Sequence, residues 1–404
     1  MQNEQTKNYA LPLAFVGLMF FSVGFALGIN SFLIPVLKET LQLPSGAAYS
    51  LLAATFIPFL IFGYPASKTI AAIGYKRTMS VSFLIFAIAF ILFVFSAKYE
   101  SFTLFLVASF VSGAGNAYLQ ASVNPYVTIL GPLQSAARRI SMMGICNKLA
   151  WPVAPVFFAA VVPDSSHVAI ADLYLPFYII IGAFVFLGIL SLLAPLPEVK
   201  AAGEDEGSEE DCPYAANKTS ILQFPHLLLG VLTLFIYVGV ETLSLSTAVD
   251  YAKTLGLDKP DLYAWIPSIG MVVGYLCGIV FIPKYLSQDA AMRICACIGV
   301  IGSLLIVLLP AQISIWAIFP MALGCSLMWP ALWPLAMADL GKFTKTGSAL
   351  LTMAIAGGAV IPTIFGLLQG KGDMTEAQGA YWLAVPCFLF ILYYGIAGYK
   401  IRVR

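Results

Sequence analysis

The sequence predicts an all-α integral membrane protein of twelve transmembrane helices, arranged as two pseudo-symmetric six-helix bundles. Three observations predict it. The 404 residues are 60% hydrophobic and only 10% charged, whereas soluble domains carry roughly a quarter charged residues. Apolar runs of the length a bilayer requires, about 20 residues, recur twelve times. A single long hydrophilic stretch separates the first six from the last six.

The first run, 11–34, is longer than a signal-peptide core and has no small-residue cleavage site, so it reads as a spanning helix. Further runs follow at 48–70, 78–97, 101–127, 139–162 and 173–196. Residues 197–224 then carry Glu204, Asp205, Glu206, Glu209, Glu210 and Asp211, the composition of a charged flexible linker. The second set lies at 226–249, 261–283, 291–309, 312–337, 346–369 and 378–399. The expected organisation is an N-terminal bundle over 1–196, a cytoplasmic acidic linker over 197–224 and a C-terminal bundle over 225–404.

Aromatic residues reach 13%, which suits helices that meet lipid and headgroups. The net charge of +1 supplies no basic face for a nucleic acid, so the expected partner is the bilayer. Seven cysteines show no metal-ligand spacing and read as reduced helix-packing residues. No His-Glu-x-x-His, Gly-x-Ser-x-Gly or paired-aspartate constellation is present, so the chain does not read as an intramembrane enzyme. No cofactor is implied.

Basic residues set the orientation. With the N-terminus in the cytoplasm, fifteen of the 21 Lys and Arg, among them Lys68, Lys76, Arg77, Arg138 and Arg139, fall on inner loops or ends. Lys38, Lys98, Lys253, Lys259 and Lys371 fall outside. This positive-inside bias puts both termini in the cytoplasm. An internal repeat supports the halves. Ser141 precedes Pro155 by fourteen residues, as Ser348 precedes Pro362; Gly63-Tyr64 recurs as Gly274-Tyr275. Carriers built of repeats place a site near the midplane, between halves that rock.

Polar side chains within spans are costly and therefore informative. Asn116, Gln120 and Asn124 are spaced by four on one face of the fourth span. Amides offer donors and acceptors together, which matches a substrate made of hydroxyls; amides also bridge packed helices. Glu241 lies deep in the seventh span and could carry a proton or ligate a sodium ion. Lys148, beside Asn147 in the fifth, is the only other charge at that depth. The two could pair, or Lys148 could touch substrate. Asn30 shares a face with Ala26 and Ser22, either lining a cavity or allowing close packing. Asp250, near the end of its span, reads as a solvated rim residue. Trp329 and Trp333, four apart, could stack on a sugar ring or face lipid. Trp151, one turn after Asn147, is a third such candidate.

Longer pieces carry a family resemblance. The runs Asn124-Pro125-Tyr126-Val127-Thr128-Ile129-Leu130-Gly131-Pro132, Thr344-Lys345-Thr346-Gly347-Ser348, Gly357-Gly358-Ala359-Val360-Ile361-Pro362 and Tyr237-Val238-Gly239-Val240-Glu241 resemble the major facilitator superfamily, within it the fucose/glucose/galactose (fucose:proton symporter) family. Met143-Gly144-Ile145-Cys146-Asn147-Lys148 is similar to a branch that includes N-acetylglucosamine and glucose/galactose permeases. The superfamily's loop after the second helix usually reads Gly-x-x-x-Asp-Arg-x-Gly-Arg-Arg. Here Ser67, Ala71 and Ala72 replace the Gly, Asp and Arg, while Gly74, Lys76 and Arg77 keep its basic end. Fucose symporters carry an acid in the first helix and one in the fourth, at positions matched here by Ser31 and Gln120, neither of which titrates.

The resemblance implies a carrier of the bacterial inner membrane that imports a hexose or N-acetylhexosamine by cation-coupled symport, with proton and sodium both open. Asn30, Asn116, Gln120, Asn124, Asn147, Lys148, Trp329 and Trp333 are the expected sugar contacts, and Glu241 the expected cation site. The chain is expected to act as a monomer. A sugar uniporter and a drug or metabolite exporter of the same fold are the alternatives.

Overall fold

The computed structural model describes residues 10–130, 136–162, 168–194, 196, 213–216, 218–282, 286–370 and 373–401. Among them every regular element is helical. The first set comprises α1 (Ala10–Thr40), α2 (Ser45–Phe56), α3 (Pro58–Lys98), α4 (Phe102–Ile129), α5 (Ala136–Val161) and α6 (Tyr174–Leu193). The second comprises α7 (Pro225–Thr254), α8 (Trp265–Phe281), α9 (Gln288–Leu308), α10 (Ile318–Ser326), α11 (Met328–Met337), α12 (Thr344–Met353), α13 (Gly357–Leu368) and α14 (Ala384–Ile396). The acidic run of the linker, His167 and Cys212 lie outside the described residues.

Among the described residues, eleven helical segments are long and apolar enough to cross a membrane. One of them, Ser45–Lys98, has 54 residues. Straight, it would measure about 80 Å, far more than a hydrocarbon core of about 30 Å. It breaks at Gly74, whose φ of 82° and ψ of 168° are not helical. A positive φ costs glycine little, and the two limbs, 45–73 and 75–98, are the second and third predicted spans. Counted this way, the spans number twelve.

Later spans are broken rather than bent. The 312–337 span divides at Leu327 (φ −91°, ψ 4°), just before Pro330. The 346–369 span divides at a 3-10 turn over Ala354–Ala356. Pro330 lacks the N–H that a continuous helix would use, and Pro362 removes another within α13, beyond the 354–356 break. Polar backbone freed in this way is tolerated at membrane depth only where protein or a cavity surrounds it.

Packing follows residue size. Phenylalanines fill the contact between α3 and α6, where the rings of Phe86 and Phe184 stack with centroids 4.8 Å apart. Elsewhere glycines let backbones meet, as small residues do in membrane bundles. A Cβ on Gly24 would strike the carbonyl of Asn147, one on Gly113 that of Thr55, and one on Gly357 that of Phe235. These contacts fix α1 on α5, α4 on α2, and α7 on α13. Helices of the two sets also touch, chiefly α2 with α13 and α5 with α8.

Candidate functional site

A cavity with roughly 810 Å³ of empty space, continuous with solvent, lies between the two sets of helices. Its polar lining comes from Gln120 and Asn124 of α4, Asn147 and Lys148 of α5, and Glu241 and Thr242 of α7. Phe20, Phe56, Trp151, Tyr275, Trp329 and Ile355 supply aromatic and aliphatic surface. Polar groups for hydroxyls and rings for stacking, together in one cavity, suit a neutral, hydroxyl-rich ring.

The charged pair sits at mid-depth. Lys148 Nζ lies 3.2 Å from Glu241 Oε1, with both side chains nearly buried. Tyr237, one turn before Glu241 on α7, donates its hydroxyl to the same Oε1 at 2.5 Å. The ion pair therefore bridges α5 and α7. Isolated, either charge would be expensive at this depth. Asn147 donates from Nδ2 to the carbonyl of Phe20 at 3.1 Å. This leaves its Oδ1 to accept. The α1–α5 contact at Gly24 and Gly28 fixes the backbone that carries Asn147, Lys148 and Trp151. Gly144, one turn earlier on α5, lets Tyr275 of α8 approach: a Cβ there would lie 2.9 Å from the ring.

Of the eight expected sugar contacts, the structure brings Gln120, Asn124, Asn147, Lys148 and Trp329 to the cavity and leaves three elsewhere. Asn30 is fully buried; its Nδ2 donates to Ala26 O at 3.0 Å and its Oδ1 accepts from Ser109 at 2.8 Å. It ties α1 to α4. Asn116 is also fully buried, and neither amide atom finds a partner among the described residues. The four-residue spacing put Asn116 on the correct helix face, one turn too deep. Trp333 stands behind Trp329, with centroids 5.3 Å apart, and supports that ring rather than lining the cavity. Tyr275 also lines the cavity, although nothing in its sequence spacing marks it. Its repeat partner Tyr64 is 72% exposed whereas Tyr275 is buried, so that repeat does not carry a shared environment.

The rim assignment of Asp250 is corrected. Asp250 is buried and accepts from Lys38 of α1 at 2.8 and 3.1 Å, from Tyr49 of α2 at 3.2 Å and from Gln369 after α13 at 3.2 Å. It lies nine residues beyond Glu241 on α7, about 13 Å along the axis. Gly366 packs on Tyr49 and Gly46 on Leu367 at the same end, and Gly358 on Phe56 carries the α2–α13 contact on to the cavity. That end is closed. The cavity-lining Phe20, Asn124, Ile140 and Gly144 lie toward the opposite end.

A smaller void lies between the cavity and the closed end, lined by Ser31, Phe32, Trp151, Leu245, Ser246 and neighbours. Trp151 lines both spaces. Its Nε1 is buried with no partner among the described residues, a state that costs about 1–3 kcal/mol.

Comparison with known proteins agrees with this architecture. The profile of the Major Facilitator Superfamily matches residues 16–363. The chain is 32% identical to a glucose/galactose transporter of Brucella abortus biovar 1 (strain 9-941), over 99% of this chain and 97% of the relative. It is 23% identical to the L-fucose-proton symporter of Escherichia coli (strain K12), over 98% and 94%. Among solved structures, the crystal structure of the transporter FucP in the outward conformation superposes with a TM-score of 0.70 at 22% identity, covering 96% of this chain and 98% of that one. A bacterial homologue of the human lysosomal transporter Spinster, inward-facing and unoccupied, gives 0.67 at 14% identity, covering 98% and 97%.

Proposed function

The chain belongs to the Major Facilitator Superfamily, and we propose that it imports a neutral hexose or N-acetylhexosamine by cation-coupled symport across a bacterial inner membrane. It is a multi-pass membrane transporter and not an enzyme. The observation that carries the substrate reading is the cavity itself, whose lining brings three amides together with aromatic rings. Gln120, Asn124 and Asn147 bind hydroxyls, and Trp329 stacks on the ring. A lipophilic-drug exporter would have little use for three amides in its cavity.

Glu241 is the coupling residue. It is the acid that lines the cavity, and it already holds one cation, the Lys148 ammonium. An arriving cation competes with Lys148 for the carboxylate and frees Lys148 to donate to sugar, so ion and sugar assist each other. A proton is favoured over sodium: one relative is named a proton symporter, and Tyr237 with Lys148 supplies donors where a sodium shell needs oxygen acceptors. A sugar uniporter remains the second reading, since Ser31 and Gln120 stand where fucose symporters have acids.

The halves, 1–196 and 225–404, rock about the cavity. With both termini cytoplasmic, the Asp250 end faces outward and the conformer is open inward. Asp250 then latches the outer side by joining Lys38 and Tyr49 of one half to Gln369 and α7 of the other. Uptake of labelled glucose, galactose, fucose and N-acetylglucosamine into proteoliposomes, with a proton gradient, a sodium gradient or neither, tests the reading. Accumulation of one sugar under the proton gradient is expected. Uptake of no sugar would overturn the substrate class, and equilibration of sugar that neither gradient drives to accumulation would establish the uniporter.

A further inference from the structure

Trp151 stands where the main cavity ends and the smaller void begins, and it lines both. Its indole nitrogen is a donor only, buried and without an acceptor among the described residues. Ser31 and Ser246, which line the same void, donate to Leu27 O and Thr242 O within their own helices, and neither accepts from the indole. The ring cannot easily be repositioned by sliding the helix, because the Trp151 carbonyl sits 2.6 Å from where a Cβ on Gly28 would lie. Asn147 is four residues earlier on α5, about 6 Å along the axis, within the breadth of one sugar ring and its hydroxyls. An oxygen carried by the substrate would supply the acceptor that this donor lacks.

We propose that Trp151 is a specificity-determining sugar contact: its Nε1–H donates to one oxygen of the hexose at the blind end of the cavity, while its ring partitions the cavity from the void beyond. The inference rests on the sugar-transport reading above and deepens it. Asn147 and Lys148 hold the near side of the sugar, and Trp151 reads a single position on the far side. A hexose lacking that oxygen leaves the indole unpaired and binds correspondingly less well. On translocation the sugar must pass the ring to reach the void lined by Ser31 and Ser246, so the same side chain that reads the sugar also separates the two compartments.

The test is a substrate-by-variant comparison in reconstituted protein, using D-glucose, D-galactose and their monodeoxy analogues as competitors. Trp151→Phe keeps a ring and removes the N–H. Loss of a neutral hydrogen bond is expected to weaken the parent sugar about five- to tenfold. One monodeoxy analogue, already weak for the wild type, is expected to lose nothing further in Trp151→Phe, while the others weaken in parallel with the parent. Unchanged affinity for every sugar, or equal loss for all of them, would overturn the assignment; equal loss is what a packing role or a bridging water in the void would give. Trp151→His keeps a ring N–H and is expected to retain discrimination against the same analogue, so its loss there also counts against the proposal. Wild-type protein that takes up none of these sugars overturns the substrate reading and this inference together, whereas sugar uptake with no analogue-specific effect removes this inference alone.

Discussion

Replacing Asp250 by asparagine removes the charge on which the closed end converges while keeping a side chain of nearly the same size. In the present conformer the carboxylate faces Lys38 at 2.8 Å and also accepts from Tyr49 and Gln369. Breaking a buried ion pair costs about 3–5 kcal/mol. The Lys38 side chain is 20% exposed, so solvent screens part of that cost. The asparagine carbonyl also still accepts one hydrogen bond. About 2 kcal/mol is a fair figure for the closed outer gate, or roughly 30-fold in the ratio of conformers. A cysteine at Ser246, in the void beneath the gate, reports on this in a background whose other cysteines are replaced by alanine. An impermeant thiol reagent added outside intact cells is expected to modify Ser246→Cys slowly, and about 30-fold faster when Asp250→Asn is added. The same rate in both would refute the latch. Faster modification only from the cytoplasmic side would refute the orientation.

Three further outcomes follow from the site and its supports. Glu241→Gln is expected to abolish gradient-driven accumulation while leaving exchange of internal for external sugar, measured by counterflow; undiminished accumulation would remove Glu241 from coupling. Lys148→Met leaves the Glu241 carboxylate without its cation and should lower stability by about 3 kcal/mol, whereas Lys148→Met with Glu241→Gln should recover most of it, as read from thermal unfolding in detergent. Asn30→Ala breaks the link to Ser109 and is expected to cost about 0.6–1.7 kcal/mol, the range of interhelical hydrogen bonds in membranes. Sugar affinity should not change; a tenfold loss of affinity would place Asn30 in the site after all.

Composition and spacing determined the class of this protein because the bilayer imposes a length and a polarity on each span that leave few alternatives. Twelve apolar runs, a central acidic stretch and a bias of basic residues are one-dimensional features, and each was legible as such. Glu241 and Lys148 were equally legible, since a charge deep in an apolar run stands out whatever surrounds it. What spacing could not decide was depth and partner. Asn116 and Gln120 lie one turn apart on one face of α4, yet Gln120 lines the cavity and Asn116 is shut inside the bundle. Asn30 carries the same amide as Asn147, but Ser109 has claimed it. Asp250 looked like a rim residue because it sits near a helix end. Only the approach of α1, α2 and the end of α13 makes it buried, and those contacts join residues 119 to 212 positions apart. Pairings of that range depend on how rigid helices cross. Helix crossing is set by where glycines such as Gly24, Gly113 and Gly357 let backbones touch, which is a property of two surfaces together and is written in neither alone.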